Sequence, residues 1–324
     1  MNTNSNVVSQ VLVLEQNLDA LHSLKQFCSE NRLVGLKANT SNLLDVLGSN
    51  IHLGGIFISD ELNGAGKSAI DLAVEIHKLR TELPVFLRRS TATSLDDLSA
   101  SAQTLFAGAY QLTNMEKLKQ MVDSYIFSVD FPNDLVRGIQ ELTLEVLRGA
   151  FRGLDASCDL PYVVKDKLIY GELFSLIPLQ SSWCGGYMML QTNEEEMFTV
   201  IRARRTQLGP KEPNFRDVNS LLSELANMTW GAFKAKFITD ESLNDMESRM
   251  HVPIIINHRQ NFISFGANYP QLCFLYTLTD RLNEIKPITL YQKLVFSMRW
   301  RPELFADNQK KIDDFVNRGE LELF

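Results

Sequence analysis

Long apolar runs are missing from this sequence. None approaches the ~20 residues that a bilayer-spanning helix needs, so a helical membrane anchor is not expected. The first nine residues are polar and carry no apolar signal core, and the expected location is cytoplasmic. Cysteine is scarce. Cys28, Cys158, Cys184 and Cys273 stand far apart with no CxxC pair, which excludes a disulfide framework or a cysteine zinc site and fits a reducing compartment. The five histidines (His22, His52, His77, His251 and His258) form no ligand cluster, so no metal of the protein's own is expected. Positive charge is in deficit, with 32 Lys and Arg against 39 Asp and Glu. The net charge of −7 argues against a nucleic-acid or anionic-membrane partner. Arg202, Arg204 and Arg205 read as the solvated face of one helix. No internal repeat or low-complexity tract is present. What remains is a globular composition, 45% apolar and 22% charged, in 324 residues that suggest two domains.

The first half alternates strand and helix. Val11–Leu14 is an apolar run that ends in Glu15, Gln16 and Asn17, and a helical pattern covers residues 18–31. Strands are expected at 33–38, 55–58, 84–87 and 106–112, and helices at 42–47, 69–80, 95–102 and 115–128. Five apolar strands alternating with helices define an α/β, doubly wound parallel sheet, whose site lies at the carboxyl ends of its strands. The order and texture of residues 10–128 resemble a response-regulator receiver domain of flavodoxin-like fold: Val11–Leu14 then polar residues, Pro84-Val85-Phe86-Leu87, and Gly108-Ala109-Tyr110. The resemblance implies paired acids, a phosphoacceptor Asp, a Ser/Thr and a Lys. Here those places hold Glu15 and Gln16, Ser59 or Asp60, Arg89 or Ser90, and Asn114. Asp60 is the one candidate acceptor. A hard cation wants several oxygen ligands, and Gln16 weakens that set. The reading is a degenerate pseudo-receiver that serves as a docking or dimerisation platform. Whether Arg88 and Arg89 bind an anion stays open at this point.

Asn63-Gly64-Ala65-Gly66-Lys67-Ser68 ends like a phosphate-binding loop, but Glu61 stands where that motif needs its first glycine. A Gly-rich turn with Ser68 as a helix cap explains the same residues.

Residues 129–134 read as a linker. Beyond it, 135–151 is an amphipathic helix, 168–179 and 186–191 are strands joined by a turn, and 194–207 is helical. Gly209, Pro210 and Pro213 break the chain. Asn214 then caps a long helix over Phe215–Phe237, with Asp217 completing a capping box. Strands are expected at 251–256, 261–264 and 271–277. Residues 288–296 fit a strand or a helix equally, and 301–324 form a helical, peripheral tail. The long helix puts Phe215, Val218, Leu222, Leu225, Thr229 and Phe233 on one face and Ser220, Glu224, Asn227 and Gly231 on the opposite one. Asn and Gly cost roughly 0.5–1 kcal/mol each in a helix interior, and placing them on a solvent face suggests a task other than packing.

The motif Glu224-x-x-Asn227-x-x-x-Gly231, with Asn133 at the first helix, Gly185-Gly186 at a strand and Val252-Pro253-Ile254, resembles the CheX-like family of chemotaxis phosphatases over about residues 132–280. Residues 135–300 are accordingly read as an α+β, CheX-like domain with the motif helix packed on an antiparallel sheet. The resemblance implies a phosphatase acting on the phosphoaspartate of a separate CheY-type receiver. Asn227 would orient the attacking water, Glu224 would pair with the partner's lysine, and Ser220 and Gly231 would complete the docking surface. No cofactor of its own is implied; the partner would bring Mg²⁺. Related proteins carry two such motifs, whereas here Leu144 follows Glu141 at the first helix and one copy survives. Exposed sheet edges would suit a homodimer, and the pseudo-receiver could compete for the docking surface. Two other readings stand beside the enzyme: a non-catalytic scaffold that docks receivers, and a small-molecule sensor using an apolar pocket in the pseudo-receiver.

Overall fold

The computed structural model describes residues 7–49, 53–62, 66–80, 83–165, 169–206, 212–238, 253–257, 269–301 and 304–305. The first sheet holds β1 (Ser9–Leu14), β2 (Leu33–Lys37), β3 (Leu53–Ser59), β4 (Val85–Arg88) and β5 (Gly108–Tyr110), all parallel in the order β2-β1-β3-β4-β5. Its helices are α1 (Leu18–Glu30), α2 (Leu43–Ser49), α3 (Ala69–Leu79), α4 (Ala100–Gln103) and α5 (Met115–Tyr125). Successive residues of a strand point to opposite faces. Leu12, Leu14, Ile56 and Ile58 therefore pack with Leu72 and Ile76 of α3. Val11, Val13 and Phe57 pack on the other side with Leu24 and Phe27 of α1 and Val122 of α5. Both faces are covered, which is why these strands read as continuous apolar runs.

Two local expectations change. The helix expected at 95–102 is the single turn α4, because Ser94, Asp96 and Asp97 spend their side chains on local bonds and on Arg89; Ser94 Oγ donates to Asp96 at 2.7 Å. Ser68 does cap α3 through a capping box with Asp71, so the phosphate-loop look-alike ends as a helix start.

The second half begins with α6 (Asn133–Ala150), followed by β6 (Leu154–Cys158), β7 (Tyr162–Val164), β8 (Leu173–Gln180), β9 (Cys184–Thr192), α7 (Glu194–Arg202), α8 (Phe215–Phe237), β10 (Ile254–Asn257), β11 (Gln271–Asp280) and β12 (Ile288–Trp300). The strands form an antiparallel sheet in the order β10-β8-β9-β12-β11-β6, with β7 also paired to β11. Residues 288–296 are thus strand, held between β9 and β11. Strands β6 and β7 were not expected. The helix expected to reach Gln207 stops at Arg202; Arg204 takes a left-handed φ of 56°, and Thr206 pairs with Phe151. Arg205 is not on a solvated face: it bridges Asp280 at 3.0 Å and Glu284 at 2.7 Å. The strand expected at 261–264 and nearly all of the tail from 301 lie outside the described residues.

A single large apolar core joins α6, α7 and α8 to this sheet. Phe131 belongs to it and is 2% exposed, so the end of the expected linker is packed. Val7, expected in a flexible tail, is buried in the same core. The adjoining residues tie the two sheets together. The Val8 amide donates to the Pro161 carbonyl at 3.1 Å, the Val163 amide donates to Val8 at 2.8 Å, and Ser9 Oγ donates to the Val163 carbonyl at 2.7 Å. These contacts lie at the amino ends of β1 and β3, so the carboxyl ends of the first sheet point away from the second.

Candidate functional site

Helix α8 is built as its sequence dictates. The Asn214 side chain accepts from the Arg216 amide at 2.8 Å, and the Asn214 amide donates to Asp217 at 2.7 Å, closing the capping box. Val218, Leu222, Leu225, Ala226, Thr229 and Phe233 are buried against α6 and the sheet. Phe215 departs from the expected apolar face and is exposed, because the helix starts beyond the edge of the core. Trp230 stacks on Phe233 with ring centroids 5.6 Å apart, and the Trp183 indole donates to the Phe237 carbonyl at 3.1 Å, fixing the end of the helix.

Ser220, Glu224, Asn227 and Gly231 are all exposed along the outer face. None of the three side chains has a hydrogen bond or ion pair among the described residues. A methyl group added at Gly231 would touch nothing within 4 Å among the described residues, so no contact among them requires the glycine. Met228, 39% exposed, adds an apolar flank. The degenerate counterpart on α6 is engaged differently: Glu141 lies 3.8 Å from Lys236 and 3.9 Å from Arg137.

The second cluster lies at the carboxyl ends of the first sheet. Arg88, at the end of β4, is 4% exposed. Its Nε donates to Glu15 Oε2 at 2.5 Å, and its Nη2 donates to Glu15 Oε1 at 3.3 Å, Ser59 Oγ at 2.7 Å and Glu61 Oε2 at 2.7 Å. Burial disfavours the guanidinium charge, but the bonds to Glu15 and Glu61 outweigh it and raise the pKa. Arg89 makes a fork with Asp97 at 2.9 and 2.7 Å and reaches Asp60 at 3.1 Å, and Asp97, then Asp60, raise its pKa. Asp60 also accepts from the Ser90 amide at 3.1 and 3.2 Å. Tyr110, beside this cluster at the end of β5, is 1% exposed, and its hydroxyl has no hydrogen-bond partner. Burial raises its pKa well above the usual phenol value.

The structure places Glu15 and Ser59 on Arg88 and Asp60 on Arg89, at the carboxyl ends of the first sheet. The Gln16 side chain points outward; its backbone amide alone contributes, donating to Glu15. Asn114 caps α5, accepting from the Lys117 amide at 3.2 Å. Sequence reasoning missed Glu61, Asp97 and Tyr110. Arg88 and Arg89 do not present a free anion site, since carboxylates occupy both. An apolar groove of about 480 Å³ lies between α1 and β2, lined by Val13, Leu24, Cys28 and Val34 with Lys25 and Lys37, and shares no residue with the arginine cluster. Among the described residues, no three His, Cys, Asp or Glu side chains gather as a metal site, and no helix is long and apolar enough to cross a membrane.

No protein-family model and no curated protein matches this sequence. Solved structures do match, among them CheX/CheC-like chemotaxis proteins and response-regulator receiver domains. A CheC-like chemotactic protein from Shewanella oneidensis aligns at 16% identity over 49% of this chain and 95% of its own, with a TM-score of 0.35. The CheX component class is also represented by a CheX–CheY–BeF₃–Mg²⁺ complex from Borrelia burgdorferi, at 15% identity, 49% and 97% coverage and a TM-score of 0.30. A response-regulator receiver domain from Clostridium thermocellum aligns at 14% identity over 37% of this chain and 96% of its own, with a TM-score of 0.33.

Proposed function

We propose that this protein works in chemotaxis or two-component signalling as a phosphatase of phosphoaspartate on a separate CheY-type receiver, through the outer face of α8. The observation that carries this reading is that Glu224 and Asn227 stand exposed one turn apart with no hydrogen bond or ion pair among the described residues, in line with a glycine that no contact among those residues explains. Residues three and four apart on a helix are neighbours, about 5–6 Å between Cβ atoms, so one bound partner meets all three.

The chemistry follows from the side chains. The Asn227 carboxamide both donates and accepts, and can hold a water in line with the phosphorus. The water oxygen bonds to phosphorus as the bond to the aspartyl oxygen breaks, giving inorganic phosphate and a free carboxylate. Glu224 pairs with a lysine of the partner and fixes the helix register, and positioning of this kind supplies several kcal/mol of barrier reduction. The receiver contributes Mg²⁺. Ser220 and Gly231 form the supporting surface, where the missing side chain at Gly231 lets the partner backbone approach.

Gly231→Ala separates folding from docking. Ala is about 0.5–1 kcal/mol better than Gly within a helix, and among the described residues nothing lies within 4 Å of the added methyl. The variant should be more stable to urea by about that amount and bind a phosphorylated receiver more weakly. Unchanged affinity would mean that no partner backbone comes close there. The hydrolysis itself is tested by incubating receivers charged with a small acyl phosphate and following phosphate release with and without this protein. Binding without faster release would favour the scaffold reading, in which the same face docks receivers and hydrolyses nothing.

A further inference from the structure

The receiver-like pocket is closed by a cation that belongs to the chain. Three oxygens from three different positions, Glu15 Oε1, Ser59 Oγ and Glu61 Oε2, surround the single nitrogen Nη2 of Arg88 at 3.3, 2.7 and 2.7 Å. The remaining Glu15 oxygen is held by Nε of the same residue. A buried carboxylate beside a hydroxyl and a second carboxylate, all converging on one point, is the donor set of a hard divalent ion. Here a guanidinium nitrogen occupies that point. The second acid of the pocket is occupied in the same way, since both oxygens of Asp60 accept from the Ser90 amide and one also accepts from Arg89. Arg89 is in turn held by the Asp97 fork and the Ser94 carbonyl at 3.1 Å.

We infer that Arg88 is a built-in cation lock: its guanidinium takes the place of a divalent metal ion between Glu15, Ser59 and Glu61, and holds the receiver-like module in one state whatever the supply of metal or phosphoryl donor. The consequence is a module that does not switch. Its β4–α4 connection is tied down by Arg89 through the Ser94 carbonyl and the Asp97 carboxylate. The module then presents a constant surface next to the sheet that carries α8. This inference does not depend on what α8 does.

The test is to remove the internal cation and offer an external one. Full-length wild type, Arg88→Ala and Arg88→Met are melted with and without Mn²⁺. Met keeps an unbranched apolar stem in the buried site and guards against simple loss of packing. Taking away the cationic partner leaves the buried Glu15 carboxylate with only the Gln16 and Asn17 backbone amides, each 2.9 Å away, to offset its charge. Both variants should therefore melt below wild type, and Mn²⁺ should raise their melting temperature by about 3 °C or more at saturation. Wild type should not move, and Arg88→Met combined with Glu15→Gln should lose the response. A wild type that is stabilised by Mn²⁺ as strongly as Arg88→Met, with the response abolished by Glu15→Gln alone, would overturn the lock. So would folded variants of either kind that fail to respond to Mn²⁺. If both single variants fail to fold, the wild-type titration with and without Glu15→Gln still decides.

Discussion

Asn227→Ala is expected to slow phosphate release from a phosphorylated receiver by about 100-fold or more, because a lost positioning or transition-state contact of this kind costs roughly 2.7–4 kcal/mol. The effect should fall on the turnover rate and leave affinity for the receiver nearly unchanged. Asn227 has no structural role that would confuse the result: its side chain is exposed and makes no internal hydrogen bond among the described residues. Its replacement by Ala even improves helix propensity, so the variant should be at least as stable as wild type. Glu224→Ala should behave differently. A carboxylate that pairs with a partner lysine contributes to register as well as to binding, so both affinity and turnover should drop. A split of this kind, rate alone for Asn227 and both for Glu224, is what a water-positioning amide beside a docking carboxylate predicts. Steady-state phosphate release over a range of receiver concentrations measures it.

Gly186→Ala should be the most damaging substitution for folding. Gly186 sits in β9 with φ at +156°, where L side chains are rarely found. A Cβ there would lie 1.8 Å from the Val295 carbonyl oxygen of β12. The partner atom is backbone in the central pair of the sheet, next to the register shift between Val295 and Arg299, so it has little room to yield. Overpacking and backbone strain then act together, and a loss of about 4 kcal/mol or more is expected. The check is thermal or urea unfolding followed by tryptophan fluorescence. Trp183 and Trp230 both lie in the second core, so they report the affected half directly. A variant as stable as wild type would show that β12 moves aside without cost.

The long helix was legible because every local signal agreed. The Asn214 cap, the Asp217 box and an apolar period sustained over 23 residues all name the same element, and the structure places it at Phe215–Phe237. The inner strands of the first sheet, β1, β3 and β4, were legible because they are buried on both faces and leave unbroken apolar runs. Strands β6 and β7 were both missed. Leu154, Ala156 and Cys158 do alternate with Asp155 and Ser157, a five-residue period-2 signal that the reading passed over, whereas Tyr162–Val164, three residues long, is too short to show a period. The β12 segment carried a signal that fits two periods, and only its neighbours β9 and β11 decide between them. The outer face of α8 could be read because exposure follows from helical phase alone. The arginine lock could not. Arg88 meets Glu15 across 73 residues and Ser59 across 29, and pairing at that range is set by strand order, which a linear pattern does not carry.

The openness of α8 also bears on regulation. A pseudo-receiver competing for the docking surface would cover Glu224 and Asn227, yet both are exposed, and the first sheet joins the second through the amino ends of β1 and β3 and through β7. Removal of the receiver-like half is therefore not expected to uncover the motif face.

Hydrolysis at that face is tested most directly by the half-life of a phosphorylated receiver in the presence of wild type and of Asn227→Ala, side by side at equal receiver occupancy. A half-life shortened by wild type and restored by the variant is the predicted result. Equal half-lives for the two proteins, at the same extent of binding, would contradict it and leave Glu224 and Asn227 as docking residues alone.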